Sequence, residues 1–281
     1  MDTITFGKDV TVVEDCEDAW TAGANVTASL EATIYQRGSG SAKFIVDAAA
    51  AAGAVLCYED FTAVDLTGKD SIAFWIYSTK ALAAGELDFM LDNTSACVSP
   101  LESIDIPVTA INTWTRHVIT IATPSALTAV ISCGVKMVTD IGAFTFYIDD
   151  VIAFDSKSFN VLAVKGLTKS HSREAWPNID TVLLDGTLDK KVSRYGRLVT
   201  VSLYPIISTE ADVTWLMDAL TLYPSMRIIT SDRLEECDGV HQLQSTEMDW
   251  SQGVDWAPVI TIPFREKTPI WSATRKPPSW S

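Results

Sequence analysis

Residues 71–78 read Ser-Ile-Ala-Phe-Trp-Ile-Tyr-Ser and alternate between two kinds of side chain. Successive side chains of a β-strand point to opposite faces of a sheet. One face therefore carries Ile72, Phe74 and Ile76. The other carries Ala73, Trp75 and Tyr77. This pattern predicts a strand with one face in an apolar core and two large rings on the opposite face.

The same alternation recurs in the first half of the chain. Residues 87–92 read Leu-Asp-Phe-Met-Leu-Asp, and residues 144–149 read Phe-Thr-Phe-Tyr-Ile-Asp. Turn residues separate the predicted strands, which are residues 10–14, 42–46, 55–60, 71–78, 86–92, 104–107, 115–121, 135–138 and 144–154. Many short strands with no helical pattern between them predict an antiparallel β-sandwich.

The second half differs, because its sequence predicts one helix among strands. Ser208 or Thr209 can cap the N-terminus of the helix, apolar residues recur at helical spacing to Leu220, and Pro224 ends it. Strands are predicted at residues 181–184, 197–205, 226–230, 241–246 and 259–265. The sequence therefore predicts a mostly β protein, in which residues 1–155 form a sandwich and residues 156–270 a smaller α+β domain.

The charge distribution favours the same division. The net charge is −14 for residues 1–155 and −1 for residues 156–281. An acidic first half should repel nucleic acid and anionic membranes, so neither is expected as a partner. The first residues lack the basic segment and apolar core of a secretion signal. The five cysteines show no metal-binding or disulfide spacing, and both features predict a protein that folds in a cytoplasm.

Five motifs of the first half occur in the order found in jelly-roll carbohydrate-binding modules. They are residues 12–20 (VVEDCEDAW), 38–44 (GSGSAKF), 72–78 (IAFWIYS), 114–121 (WTRHVITI) and 146–151 (FYIDDV). Residues 1–155 therefore resemble these modules and the related galactose-binding-like domains. The resemblance implies a jelly-roll fold and a non-catalytic role in binding.

The resemblance also implies a structural calcium ion. In the family, an acidic residue near the start and the first aspartate of the closing strand commonly hold the ion. The matching positions are Glu14 and Asp149, with Asp15 or Glu17 as alternates and the Lys43 carbonyl as a backbone ligand. Calcium takes six to eight oxygen ligands in irregular geometry. An ordinary solvated acidic surface is the alternative interpretation.

A glycan site is the second implication, because such modules stack sugar rings on exposed aromatic side chains. The candidate residues are Trp75, Tyr77 and Tyr147, with Asp88 and Asp92 expected beside them. The alternative is that residues 21–37 or a neighbouring subunit cover these rings.

No catalytic constellation is evident in the sequence. The motifs GxSxG, GxGxxG, HExxH and the Walker loop are absent. The adjacent pair Asp149-Asp150 should point to opposite faces of a strand. We therefore expect no enzymatic activity.

The second half weakly resembles small domains of bacteriophage tail and baseplate proteins, on its order of strand, helix and strand. That resemblance implies a virion structural protein of a tail, neck or baseplate, forming a homo-oligomeric ring with other virion proteins. The segment 271–281 is expected to be an extended arm that docks Trp271 and Trp280 on a neighbouring subunit, with disorder as its alternative. A carbohydrate-binding protein that attaches to cell-surface glycans is the competing hypothesis.

Overall fold

The computed structural model describes residues 2–161, 168–172, 178–182, 188–192, 198–203, 209–222, 225–230, 236–241 and 260–266. Its strands are β1 (Asp2–Glu14), β2 (Thr21–Ala22), β3 (Val26–Glu31), β4 (Ser41–Val46), β5 (Val55–Val64), β6 (Ser71–Ser78), β7 (Leu87–Asp92), β8 (Glu102–Asp105), β9 (Thr115–Thr120), β10 (Val130–Met137), β11 (Phe144–Val161), β12 (Thr168–Ser172), β13 (Asn178–Val182), β14 (Leu188–Val192), β15 (Leu198–Leu203), β16 (Ser225–Thr230), β17 (Glu236–His241) and β18 (Ile260–Glu266). The helix α1 spans Glu210–Leu222. Within these segments, no helix has the length and apolarity needed to cross a membrane.

The chain divides into two compact units. One is Asp9–Ser156, and the other combines Met1–Lys8 with Lys157–Ser281. The first strand was predicted to begin at residue 10, but β1 begins at Asp2. Its first residues pair with β16, as in Ile4 opposite Thr230. A partner so distant in sequence leaves no local signal, which is why the sequence did not reveal this half of the strand.

The unit Asp9–Ser156, called the sandwich unit below, contains two antiparallel sheets. The first has the strand order β3-β4-β11-β6-β9, and the second has the order β2-β5-β10-β7-β8. The predicted mostly β, antiparallel sandwich is therefore confirmed. Strands β2 and β3 were not predicted. They lie at sheet edges and carry largely exposed or half-buried residues, so their hydrophobic pattern is weak.

The core of the sandwich unit follows the alternation read from the sequence. Ile72, Phe74 and Ile76 of β6 are fully buried in it, and Leu87, Phe89 and Leu91 of β7 face them from the other sheet. The rings of Phe74 and Phe89 stack with centroids 4.7 Å apart. Because both sheets turn their apolar positions inward, the alternate positions of β6, β7 and β11 form the outer faces.

The second unit contains a sheet, a hairpin and the helix. Its strands follow the order β12-β15-β18-β17-β16-β1, and β13 pairs with β14. The helix begins after Thr209, whose Oγ1 accepts the N–H of Asp212 while Asp212 accepts the N–H of Thr209. This reciprocal cap satisfies two otherwise unpaired donors, so the predicted helix is confirmed with Thr209 as its cap. Of the strand predicted at residues 241–246, His241 is the last residue of β17, and residues 242–246 lie outside the described residues.

Candidate functional site

Four aromatic rings lie on the outer side of the first sheet. Tyr77 of β6 lies opposite Tyr147 of β11, and Trp75 lies opposite Asp149. Trp114 directly precedes β9 and reaches the same place. The centroid separations are 5.4 Å for Tyr77 and Tyr147, 5.7 Å for Tyr77 and Trp114, and 6.4 Å for Trp114 and Tyr147. We call the surface formed by Trp75, Tyr77, Trp114 and Tyr147 the aromatic face.

The rings of the aromatic face differ in exposure. Tyr147 is only 5% exposed, whereas Trp75, Tyr77 and Trp114 are half-buried. Planes of the contacting rings are tilted by 58° to 83°, so the rings support one another instead of forming a flat platform. Edge-to-face packing of this kind stabilises the cluster and holds each ring in one orientation.

Two cations lie over rings of this face. The Nζ atom of Lys43 is 5.6 Å from the Tyr147 centroid, and the guanidinium carbon of Arg116 is 5.6 Å from that of Trp75. Lys43 also forms an ion pair of 2.9 Å with Glu31. Hydrogen bonds from Thr33 and Lys43 lower the pKa of Glu31 to about 2, and the bond to Glu31 raises the pKa of Lys43. The face therefore combines rings with paired donors and acceptors.

A β-bulge in β11 shapes one end of the aromatic face. The pairing with β6 shifts between Asp149 and Ile152, and Asp150 adopts a left-handed conformation with φ 54°. Core positions are even-numbered up to Ile148 and odd-numbered from Val151. An extra residue bends the strand and changes its phase. The expectation of simple alternation at Asp149-Asp150 is therefore wrong, because the bulge interrupts the regular strand at these residues.

The two aspartates of the bulge hold the loop between β3 and β4. Asp149 Oδ2 accepts the backbone N–H groups of Gln36 at 2.5 Å and Arg37 at 2.8 Å. Asp150 Oδ2 pairs with Arg37 at 3.4 Å and with Arg116 at 3.1 Å. Part of the segment 21–37 thus lies at the Asp149 end of the aromatic face, where the sequence allows this segment to cover the rings. Tyr77 and Trp114 nevertheless stay half-buried.

Among the predicted calcium ligands, Asp149 is a fully buried carboxylate with one unpartnered oxygen. It has no exposed surface, and its Oδ1 has no hydrogen-bond partner. Burial raises its pKa to about 7, against the lowering effect of the two backbone N–H groups. Burial, with the charges of Asp149 and Glu14, raises the pKa of the Cys16 thiol. An unpartnered, buried carboxylate oxygen is compatible with a calcium ligand.

The other predicted ligands are already engaged by the protein. Glu14 accepts the Cys16 N–H, Asp15 accepts the Glu17 N–H, and Glu17 accepts the Ser39 N–H. Lys43 lies inside β4 between β3 and β11. Among the described residues, no group of three or more His, Cys, Asp or Glu side chains is arranged to hold a metal. A calcium ion at Asp149 would therefore need further oxygen ligands from backbone carbonyl groups or water.

The structure separates Asp88 and Asp92 from the rings they were expected to accompany. Both lie on β7, which belongs to the second sheet, whereas Trp75, Tyr77 and Tyr147 lie on the first. Outer faces of a sandwich point away from each other across a core about 10 Å thick. The expectation that these carboxylates lie beside the rings is wrong, because strand alternation gives the face of a residue but not the sheet of its strand.

The outer side of the second sheet is covered by the chain itself, and we call it the closed face. Asp92 accepts the Thr94 N–H at 3.2 Å and the Ser99 N–H at 2.8 Å, and Asp60 accepts the Ala96 N–H at 2.8 Å. Residues 93–100 are thereby tied down over β5, β7 and β10. At the centre, a Cβ added to Gly134 would lie 2.6 Å from the Cys57 carbonyl oxygen and 3.1 Å from Cys97 Sγ.

Sequence reasoning missed several residues of the aromatic face. Arg116 and Glu31 reach it on the paired strands β9 and β3, Trp114 directly precedes β9, and Arg37 reaches it on the loop between β3 and β4. Such tertiary contacts leave no local signal in the sequence. Trp114 begins the motif of residues 114–121, and its position two residues before Arg116 could have indicated that both share a face. The predicted assembly residues Trp271 and Trp280 lie outside the described residues.

No family model matches the sequence, and no curated protein matches it. Solved structures of carbohydrate-binding modules are similar over about half of the chain. A variant of a family 29 module is 9% identical with a TM-score of 0.32, covering 53% of this chain and 93% of its own. The family 11 module of a Clostridium thermocellum cellulosomal cellulase is 10% identical with a TM-score of 0.34, covering 55% and 88%.

A third similar structure contains the CBM22-1 and GH10 modules of a xylanase. This Clostridium thermocellum xylanase, solved with xylohexaose, is 15% identical with a TM-score of 0.34, and the match covers 50% of this chain and 27% of that one. Values this low carry no inference about function. None of these three structures supports the bacteriophage resemblance of the second half, which stays a prediction.

Proposed function

We propose that the sandwich unit binds glycans through the aromatic face and acts as a non-catalytic recognition module. The observation that carries this proposal is the half-buried pair Tyr77 and Trp114, whose centroids lie 5.7 Å apart on a sheet surface. The C–H groups of a sugar pack against aromatic rings, and rings already held in place lose little conformational entropy on binding.

The charged groups beside the rings support the same proposal. Lys43 and Glu31 form an ion pair whose side chains keep 25% and 15% exposure. The pair offers both donors and acceptors at the edge of the rings, and sugar hydroxyl groups need both. Few polar groups placed around an apolar surface are typical of small-molecule sites.

A binding role also fits the contacts made by the two buried aspartates of this face. The carboxylates of Asp149 and Asp150 hold the loop of residues 36–37 and two arginines. Both acidic groups thus position the loop and the arginines, which supports recognition as the role of this face.

The experiment is a glycan array probed with the full-length protein, followed by the same array with Trp114→Ala. We expect binding to at least one class of glycan and its loss in the variant. Tyr58→Ala is the matched control, because Tyr58 is a half-buried tyrosine on β5 of the other sheet. Equal binding by all three proteins would exclude the aromatic face as the site.

The virion role predicted from the second half is the alternative outcome of this experiment. A protein that binds no glycan on the array, but self-associates or joins a particle through residues 271–281, would replace the proposed function with an assembly function.

A further inference from the structure

We infer that the aromatic face takes the end of a glycan, one or two sugar residues, and not a stretch of an extended chain. The inference rests on the glycan binding proposed above and specifies the class of ligand.

The first reason is the number of rings that remain available. Arg116 lies over Trp75, and Lys43 lies over the nearly buried Tyr147. Tyr77 and Trp114 are left, with centroids 5.7 Å apart and planes tilted by 58°. A pyranose ring is similar in width to one of these rings. Two tilted rings can therefore support one or two sugars, but not a row of them.

The second reason is the boundary of the face along the strands. At the Asp149 end, the loop carrying Gln36 and Arg37 is bonded to the outward carboxylate of Asp149. At the other end, the aromatic positions of β6 and β11 give way to Thr79 and Thr145. The Thr79 hydroxyl accepts the Thr145 N–H at 2.9 Å. A chain that ran along the strands would meet a loop on one side and no further ring on the other.

The third reason is the boundary across the strands. Beyond Tyr147 the same row continues with Lys43 and then Ser29, and Lys43 is tied to Glu31. The next outward position of β4 is Ile45, which is aliphatic and 47% exposed. A longer ligand would leave the rings for a charged pair and a single aliphatic side chain, which offer no further stacking surface.

The test measures the affinity of the full-length protein for gluco-, xylo-, manno- and galacto-oligosaccharides, from mono- to hexasaccharide. For the series that binds, the affinity should change by less than about twofold beyond the disaccharide. Tyr77→Ala should lose binding at every length, and Ile45→Ala should bind like the unchanged protein.

Two results would overturn the inference while leaving the proposed function in place. One is an affinity that rises about tenfold or more between disaccharide and hexasaccharide. The other is a loss of hexasaccharide binding in Ile45→Ala, which would show that a chain passes over this position. Failure of every series to bind would instead overturn the proposed function, and the inference with it.

Discussion

The two outer faces of the sandwich unit have the same strand geometry and opposite surface chemistry. On the aromatic face, charged groups pair with one another, and three of the four rings stay half-buried at the surface. On the closed face, the outward carboxylates Asp60 and Asp92 bond to residues 94–99 of the same chain. Outward side chains of the sandwich unit are covered where a loop bonds to them, as at Asp92, and stay partly exposed at Tyr77 and Trp114. An outward position on a strand is therefore not sufficient for a side chain to be exposed.

The largest effect is expected at Asp150, which supports the aromatic face. Asp150 is 8% exposed and pairs with Arg37 and Arg116. Removing one partner of a buried ion pair costs about 3 kcal/mol, because the remaining charge stays buried. Asp150→Gly should lower the free energy of unfolding by about that amount, while glycine tolerates the φ of 54°. Chemical denaturation measures the change.

Asp150→Asn provides the matched control for that variant. Asparagine also tolerates a left-handed conformation and keeps an acceptor oxygen for the arginines. We therefore expect a smaller loss of stability than in Asp150→Gly. If the two variants lose the same amount, the carboxylate does not hold the arginines as described.

The second effect concerns the closed face and Gly134. A methyl group there would come within 2.6 Å of a backbone oxygen, and inserting a group into a packed site costs about 1–3 kcal/mol. Gly134→Ala should therefore lower the melting temperature of the protein without changing the glycan affinity of its folded fraction. Reduced affinity at unchanged stability would show that the closed face takes part in binding.

How far the sequence predicts these faces depends on the range of the interactions involved. The alternation of residues 72–77 places Trp75 and Tyr77 correctly on an outward face. It does not reveal that β7 belongs to the opposite sheet, because sheet membership follows from pairing between distant strands. The bulge at Asp150 is equally hidden, since aspartate tolerates a left-handed conformation without requiring it. Local periodicity predicts the faces of single strands, and tertiary pairing decides which residues meet.

A smaller effect is expected from calcium at Asp149. If the ion binds only the folded protein, calcium at about ten times its dissociation constant adds about 1.4 kcal/mol. This corresponds to a rise of about 3–6 °C in melting temperature for a protein of this size. Asp149→Asn keeps an acceptor for the Gln36 and Arg37 N–H groups and should abolish the response. If calcium does not change the melting temperature of the unchanged protein, the predicted calcium site is wrong.

The smallest effect is a pH dependence from Glu59 of β5. Burial, with the nearby charges of Asp18, Glu14 and Asp60, raises its pKa to about 7 from 4.5. The folded state then binds a proton that the unfolded state releases between pH 4.5 and 7. This contribution is fully present below pH 4.5 and is lost as the pH rises through about 7.

Melting temperatures below and above that range should show the loss in the unchanged protein and a weaker one in Glu59→Gln. Part of the dependence of melting temperature on pH should remain in this variant, because the pKa of Asp149 is also raised to about 7. If the melting temperature of Glu59→Gln depends on pH as strongly as that of the unchanged protein, other groups cause the dependence.

Glycan binding by the aromatic face is tested most directly by comparing one substitution on each outer face of the sandwich unit. Titration calorimetry should be performed with a glycan that binds the unchanged full-length protein, using Tyr77→Ala and Tyr58→Ala. Truncating a ring at the centre of a binding surface costs about 2 kcal/mol or more. We therefore expect the affinity to fall at least about 30-fold in Tyr77→Ala and to stay unchanged in Tyr58→Ala. The reverse pattern, a loss in Tyr58→Ala with full affinity in Tyr77→Ala, would contradict the assignment of binding to the aromatic face.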